Sequence, residues 1–363
     1  MTEWRDCKFG EIATFSYGKM PNKKNIVDCG YPIFSGYKIV GYYNSYMYED
    51  PQLIIVARGV GGTGDVKISP PKSYITNLSI IAELHPDKAN KKFLYYYFKI
   101  NNLRELDSGS AQSQITINDL NNYCITLPPL PEQKAIAEVL SSLDDKIDLL
   151  TRQNKTLEDL AQAYFRKWFI EDASDKWEEK GLDEIADFLN GLPLQKYPYK
   201  TGNPLHVIKI KELNNGFTDS SDLCSADIPE QYIVHPGDVI FSWSGSLKVD
   251  IWKYGKGALN QHLFKVTSCN YPKWFYYFWI KYHLPEFKMI AESKATTMGH
   301  IQRRDLSNAI VLVPENQEIN NMDNIMSPLI KKIEQNNAQI LVLQKLRDTL
   351  LPKLISGEIR VKM

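Results

Sequence analysis

Side chains able to touch a nucleic acid gather in two parts of this chain. Residues 242–265, SWSGSLKVDIWKYGKGALNQHLFK, hold Lys248, Lys253, Lys256 and Lys265 against one acid, Asp250, with Ser244, Ser246 and the pair Gln261-His262 between them. Upstream, Tyr37 and Lys38 lie in SGYKIVGYY, Arg58, Thr63 and Lys67 lie in and around RGVGGTG, and Ser79 follows. Lys209 and Lys211 add two cations in the second half. Cations neutralise phosphates. Arginine reads guanine, and asparagine or glutamine reads adenine, through paired hydrogen bonds to base edges. Small hydroxyl side chains suit the sugar-phosphate backbone. Taken singly, each residue is more simply read as an ordinary polar group on a solvated loop. The two parts correspond through Pro51 in DPQLIIVARGVG and Pro236 in HPGDVIFSWSGS.

Catalytic constellations are missing. The chain has no GxxxxGK[ST], HExxH, GxSxG or DPPY-like tetrad, and its six histidines are scattered. A literal GxGxxG occurs at Gly59, Gly61 and Gly64. A dinucleotide site needs a helix next, aimed at the pyrophosphate. Here DVKISPPKSYI follows, with two prolines and β-branched residues. These glycines read instead as a turn whose backbone approaches something closely. The five cysteines are odd in number, widely spaced and free of any CxxC pair, which argues against a disulfide framework or zinc site and for a reducing cytoplasm. No cofactor of the chain's own is expected.

The 363 residues suffice for two or three domains, and 43% apolar with 24% charged content is ordinary for a soluble protein. MTEWRDCKFGEIA has no signal-peptide run. WFYYFWI at 274–280 is too short to cross a membrane and reads as a buried helix. The 43 basic residues balance 43 acidic ones. DNA binding would therefore work through local patches, or with basic partners sharing the load.

The elements that position these residues come twice. EWRDCKFGEIATFSYG aligns with KWEEKGLDEIADFLNG, matching Trp4 to Trp177 and Gly18 to Gly191. NDLNNYCITLP aligns with RDLSNAIVLVP, matching Asp119 to Asp305 and Pro128 to Pro314. Each half begins with short β-like runs: YPIF, QLIIVA and KSYITNLSIIAEL, then PLHVIKI, DVIFSW and HLFKV. An aromatic segment expected in the core follows in both, KKFLYYYFKI and YPKWFYYFWI.

A long helix closes each half. LPPLPEQKAI at 127–136 stops the preceding chain with three prolines, and no Pro or Gly then occurs until Gly181. Apolar positions step by four and three: Ile136, Leu140, Leu143, Ile147, Leu150, Asn154, Leu157, Ala161, Tyr164, Trp168. This is a coiled-coil register, broken only by Asn154. Either Asn154 is buried and fixes register at a cost in stability, or the seam is wet there. The second helix gives Ile319, Met322, Met326, Leu329, Ile333, Asn336, Ile340, Leu343, Arg347, Leu350, Leu354 in the same phase. Ser327-Pro328 reads as an N-cap with proline at the first helical position, so the helix is expected to restart or kink there. Pro352 is expected to end or bend it. The expected fold is α+β. Two mixed α/β domains lie at opposite ends of a pair of long antiparallel coiled-coil helices, in a pseudo-twofold internal repeat. The expected bounds are 1–130 and 173–314 for the domains, and 131–172 and 315–363 for the helices.

The chain resembles the specificity subunits of type I restriction-modification systems over essentially its whole length. The motifs that carry this are ITINDLNNYCITLPPLPEQKAIAEVLSSLDDKIDLL, its copy IQRRDLSNAIVLVPENQEINNMDNIMSPLIKKIEQN, the tail LRDTLLPKLISGEI, and GDVIFSWSGS with ALNQHLFKV. The resemblance implies two target recognition domains, each reading one half of a split, asymmetric double-stranded DNA sequence. It implies helices that set the gap and bind two methyltransferase subunits, through which a translocating nuclease joins. It implies no active site here; S-adenosylmethionine, ATP and Mg would belong to the partners. One departure, PENQEI in place of PPLPEQ together with Pro328, bears on partner contacts at that end. Three alternatives stay open. One is the specificity chain of a related system whose methyltransferase and nuclease share a polypeptide. Another is a self-sufficient nuclease, for which only scattered acids such as Asp65 offer ligands. The third is a structural coiled-coil protein, which leaves the divergence of the two β-rich parts unexplained.

Overall fold

A computed structural model describes residues 4–36, 38–59, 62–107, 114–200, 202–293 and 299–361. The chain forms two compact units, Met1–Lys146 with Leu343–Met363, and Ile147–Val342.

In the first unit the strands are β1 Arg5–Lys8, β2 Ala13–Tyr17, β3 Ile26–Val27, β4 Tyr31–Ser35, β5 Lys38–Tyr43, β6 Leu53–Val56, β7 Val66–Ile68, β8 Tyr74–Ile75, β9 Ser79–Leu84 and β10 Cys124–Leu127. They make a four-stranded sheet in the order β2-β9-β6-β7, a second in the order β3-β5-β4-β8, and the pair β1-β10. In the second unit the strands are β11 Glu178–Gly181, β12 Asp187–Asn190, β13 Leu205–Ile208, β14 Leu223–Cys224, β15 Ile233–Val234, β16 Val239–Ser242, β17 Lys248–Ile251, β18 Gly257–Leu259, β19 Leu263–Thr267 and β20 Ile310–Val313. Their orders are β12-β19-β16-β17, β14-β13-β18-β15 and β11-β20. The first sheet and the strand pair therefore repeat strand for strand. The second sheets share a core, β5-β4-β8 against β14-β13-β18, with the last two strands of each parallel. They differ at the edges, where β3 flanks one and β15 the other.

The helices are α1 Lys91–Ile100, α2 Ile117–Asn122, α3 Leu130–Arg166, α4 Leu182–Ile185, α5 Ile210–Asn215, α6 Lys273–Ser293, α7 Arg303–Ser307 and α8 Asn316–Ile355. The two aromatic segments form α1 and the start of α6. Phe93, Tyr96 and Phe98 are buried in one core, and Trp274 to Ile280 in the other. Burial of such rings dominates core energetics.

Local chemistry explains where α3 begins. The carbonyl of Pro129 accepts from the amides of Glu132 and Gln133. Pro131 lies in the first turn, where a missing N–H leaves no bond unmade. Gln133 is buried and locks the helix start: its Oε1 accepts from the Asn90 amide at 2.9 Å, and its Nε2 donates to the Pro128 carbonyl at 2.9 Å and to Lys88 at 3.1 Å.

The seam positions Ile136, Leu140, Leu150 and Leu354 are buried, while Leu143, Ile147, Leu157, Ile333, Ile340, Leu343 and Leu350 are half-buried. Asn154 is neither lone nor wet on all sides. Its Oδ1 accepts from Asn336 Nδ2 at 2.9 Å, and its Nδ2 donates to Asn337 Oδ1 at 2.8 Å. In the first unit the seam polar positions pair in antiparallel sense, Asp144 with Arg347 and Glu132 with Arg360.

The expected restart at Ser327-Pro328 does not occur. The α8 helix runs through Pro328 and Pro352, and the Ser327 hydroxyl donates to the Asp323 side chain one turn back instead of capping. Both prolines are exposed, as are Asn324 and Asp348 four residues earlier. The carbonyls that lose their N–H partner thus face solvent, which makes the interruption tolerable.

Candidate nucleic-acid interface

The main chain carries the repeat to single residues. Gly18 N–H donates to the Ser79 carbonyl at 3.1 Å, and Gly191 N–H to that of Leu263 at 3.0 Å. The turns that close these bonds match as well: Ser79 N–H donates to Thr76, and Leu263 N–H to Asn260. A Cβ on Gly18 would lie 2.2 Å from the Thr76 carbonyl oxygen, and one on Gly191 would lie 2.2 Å from that of Asn260. Only glycine lets the strand end pass so close to the turn.

The ladders then fix which residues correspond. Val56 faces Ser79 and Ser242 faces Leu263. Past these strand ends, Arg58 forms an antiparallel bridge with Gln114, and Ser244 one with His300. Ile115 N–H donates to the Ala57 carbonyl and Ile301 N–H to that of Trp243, both at 3.0 Å. Arg58 therefore corresponds to Ser244, Ala57 to Trp243 and Asn77 to Gln261. The match through Pro51 and Pro236 is one residue out of step with this register. The strands agree only from their hydrogen bonds, because the preceding loops differ.

Several expected contact residues meet at this end of each unit. The Ser35–Lys38 corner follows β4, the strand parallel to β8, and Lys209 and α5 follow β13, the strand parallel to β18. Lys38 and the Lys209–Lys211 pair thus occupy the same place in the framework. Tyr37 lies outside the described residues. Lys67 sits in β7 opposite Ile54, away from the turn. Ser246 is exposed in the turn between β16 and β17.

Three of the expected hydroxyls are corrected to supporting roles, because burial keeps them from a ligand. Ser79 is fully buried and its Oγ accepts from the Gly36 amide at 3.0 Å. Thr63 is 4% exposed and donates to the Gly59 carbonyl. Ser244 is 3% exposed and shares a hydrogen bond of 3.2 Å with Nδ1 of His262. That ring also meets Gln261 Nε2 at 3.3 Å and packs beside Trp243, whose Nε1 donates to Asn190 Oδ1 at 3.0 Å.

Four cations of the second unit are engaged by the fold. Lys209 is paired with Asp222, whose carboxyl is held below its usual range by that hydrogen bond and charge. Lys248 binds Asp250 at 2.9 Å and the Leu213 carbonyl at 3.2 Å. Lys211 donates to Ser220, and Lys265 is paired with Asp238 at 2.8 Å. Lys38, Arg58 and Lys67 have no acidic partner among the described residues. The glycine turn approaches a helical turn: a Cβ on Gly64 would lie 2.7 Å from the Arg104 amide nitrogen, and β7 rather than a helix follows. Gly61 lies outside the described residues. No cluster of metal-binding side chains and no helix long and apolar enough to cross a membrane occurs among the described residues.

Asn77, Trp243, Gln114 and His300 stand at the same end and were not among the residues expected there from sequence. The last two were findable, since they stand as far apart as Asp119 and Asp305, already aligned.

Residues 1–159 and 174–345 each match the model of the type I restriction modification DNA specificity domain. The chain belongs to this family, as a two-domain DNA-specificity subunit. It is 31% identical over 308 residues to the MjaIX type I restriction enzyme specificity subunit of Methanocaldococcus jannaschii, covering 76% of this chain and 71% of that protein. It is 22% identical to the MjaVIII specificity subunit of the same organism across 99% of this chain and 94% of that one. In fold it matches the crystal structure of a type I restriction-modification S subunit from M. genitalium, with a TM-score of 0.70 at 19% identity, covering 99% and 96% of the two chains.

Proposed function

We propose that each of the two domains reads one half of a split, asymmetric double-stranded DNA target, while the paired helices set the gap and bind two methyltransferase subunits. A translocating nuclease joins the complex through them. The partners supply the chemistry: S-adenosylmethionine serves the methyl transfer to adenine, and ATP and Mg serve translocation and cleavage. The chain contributes recognition alone and works in the cytoplasm, where the DNA is.

The observation that carries this reading is one framework used twice with different exposed side chains at the same end. A duplicated scaffold that only held partners would have no need for that difference. The experiment is methylation profiling of DNA from cells expressing the chain with the methyltransferase subunit of its own system. A methylated motif of two unlike halves around a fixed gap is expected. Methylation at one continuous site, or none that depends on this chain, overturns the reading.

A further inference from the structure

The internal repeat allows a comparison that a single domain does not. Where the main chain of the two units makes the same bonds, residues that only support the fold stay alike, as with Gly18 and Gly191 or Ile115 and Ile301. Residues that answer to something outside the unit are free to differ. At the closed end of the sheets the framework is kept while several side chains change, among them polar ones in both units. Arg58 bridges Gln114 where Ser244 bridges His300, and Asn77 stands in the turn where Gln261 stands.

We propose that both units read bases from this one set of main-chain positions. Arg58, Asn77 and Gln114 are the base-reading side chains of the first unit, and Gln261, His262 and His300 those of the second. The inference rests on the DNA-reading function proposed above. The chemistry of the first set suits it. A guanidinium fork matches O6 and N7 of guanine, and a carboxamide matches N6 and N7 of adenine. Arg58 is exposed, and Asn77 and Gln114 are half-buried, so none of the three is shut off from a ligand. In the second unit Ser244 is too buried to touch DNA, and its hydroxyl instead orients the His262 ring, which in turn meets Gln261. Side chains held in place before binding lose less entropy on docking. Reading here falls to Gln261 and the two imidazoles, with Trp243 beside both.

The test uses the full chain in complex with its methyltransferase subunits and selects bound sites from randomised double-stranded DNA. Arg58→Ala and Gln114→Ala are each expected to erase roughly 5- to 150-fold of base preference at one position of one half-site, with the other half-site unchanged. Gln261→Ala and His300→Ala should do the reverse. Arg58→Lys keeps the charge and loses the fork, so it should lose guanine preference while overall affinity is largely kept. Lys38→Ala supplies the contrast, since Lys38 is exposed at this end and a lost phosphate contact weakens all sequences alike. Circular dichroism of each variant excludes unfolding as the cause. If the wild-type complex selects two half-sites and these variants weaken binding without altering either, the residue assignment is wrong and the function stands. If the wild-type complex selects no split sequence, the function itself fails and the assignment with it.

Discussion

The carboxylate of Glu132, at the start of α3, takes both arms of the Arg360 guanidinium, from the chain beyond α8. Glu132 is 2% exposed, and Arg360 Nη2 donates to its Oε2 at 2.7 Å while Nε donates to Oε1. The guanidinium also lies over the Trp4 ring, 6.0 Å from its centre. Three segments far apart in sequence are thereby tied at one point of the first unit. Among the described residues, the second copy has no such clasp. There Glu318 caps its own helix start and accepts from Trp177 Nε1 at 2.9 Å.

Breaking the clasp from one side should cost more than removing it. Arg360→Ala leaves a buried carboxylate unpaired and is expected to destabilise the first unit by about 3 kcal/mol. Replacing both residues by methionine should cost much less. Urea unfolding followed by Trp4 fluorescence checks this, and equal losses in the two variants would show that the pair is not coupled.

The asparagine contact between α3 and α8 gives a second asymmetry. Asn336 is 1% exposed, and its Oδ1 has no partner while its Nδ2 serves Asn154. Asn336→Ala should cost about 1–3 kcal/mol, because Asn154 loses its donor. Leucine at both 154 and 336 should be neutral or stabilising, at the expense of register. Thermal unfolding measures the first effect, and hydrogen exchange along α8 measures the second.

Asp144 makes one part of the stability depend on acid. Burial pushes its carboxyl up, but hydrogen bonds from Arg347 and Tyr96 outweigh this and hold it below the usual aspartate range. A depressed carboxyl stabilises the fold above its unfolded value, and that contribution is lost as pH falls through the folded value. Asp144→Asn should therefore lower stability by about 1–2 kcal/mol at neutral pH. The gap to wild type should be flat from about pH 8 to 5 and shrink below about pH 4. A gap that widens in acid would contradict this sign.

Helix length supplies the test of gap setting. One heptad inserted into each helix, beside Leu150 and Asn336, keeps the apolar seam in phase and adds ~10.5 Å of helix. That corresponds to ~3 base pairs of duplex. It also turns the second half-site by ~100° about the DNA axis, for which the helices supply no matching rotation. Sites selected from random DNA should show a longer gap or lost binding, with the half-site sequences unaltered. An unchanged gap at full affinity would mean that the helices do not set it.

Much of this molecule was legible because its regularities are local. The heptad of α3 and α8, the aromatic helices and the glycine landmarks each follow from spacing along the chain. Pro328 misled because a proline's effect depends on which face of the helix it occupies, and that face is set by the partner helix. The residues proposed to meet DNA were harder still. Ser79, Thr63 and Ser244 have the right chemistry, but tertiary hydrogen bonds turn them inward. Gln114 and His300 enter through bridges to strands more than fifty residues away in sequence. A polar residue's type does not reveal which way it faces.

The shared backbone bonds around Gly18 and Gly191 have a consequence for heredity. A change of side chain at Arg58 or Gln261 alters no hydrogen bond of the framework described above. If these residues read bases as proposed, new targets would be reachable by point substitution, one half at a time, with the other half's preference inherited intact. A lineage under pressure from foreign DNA can vary its vocabulary without relearning how to fold.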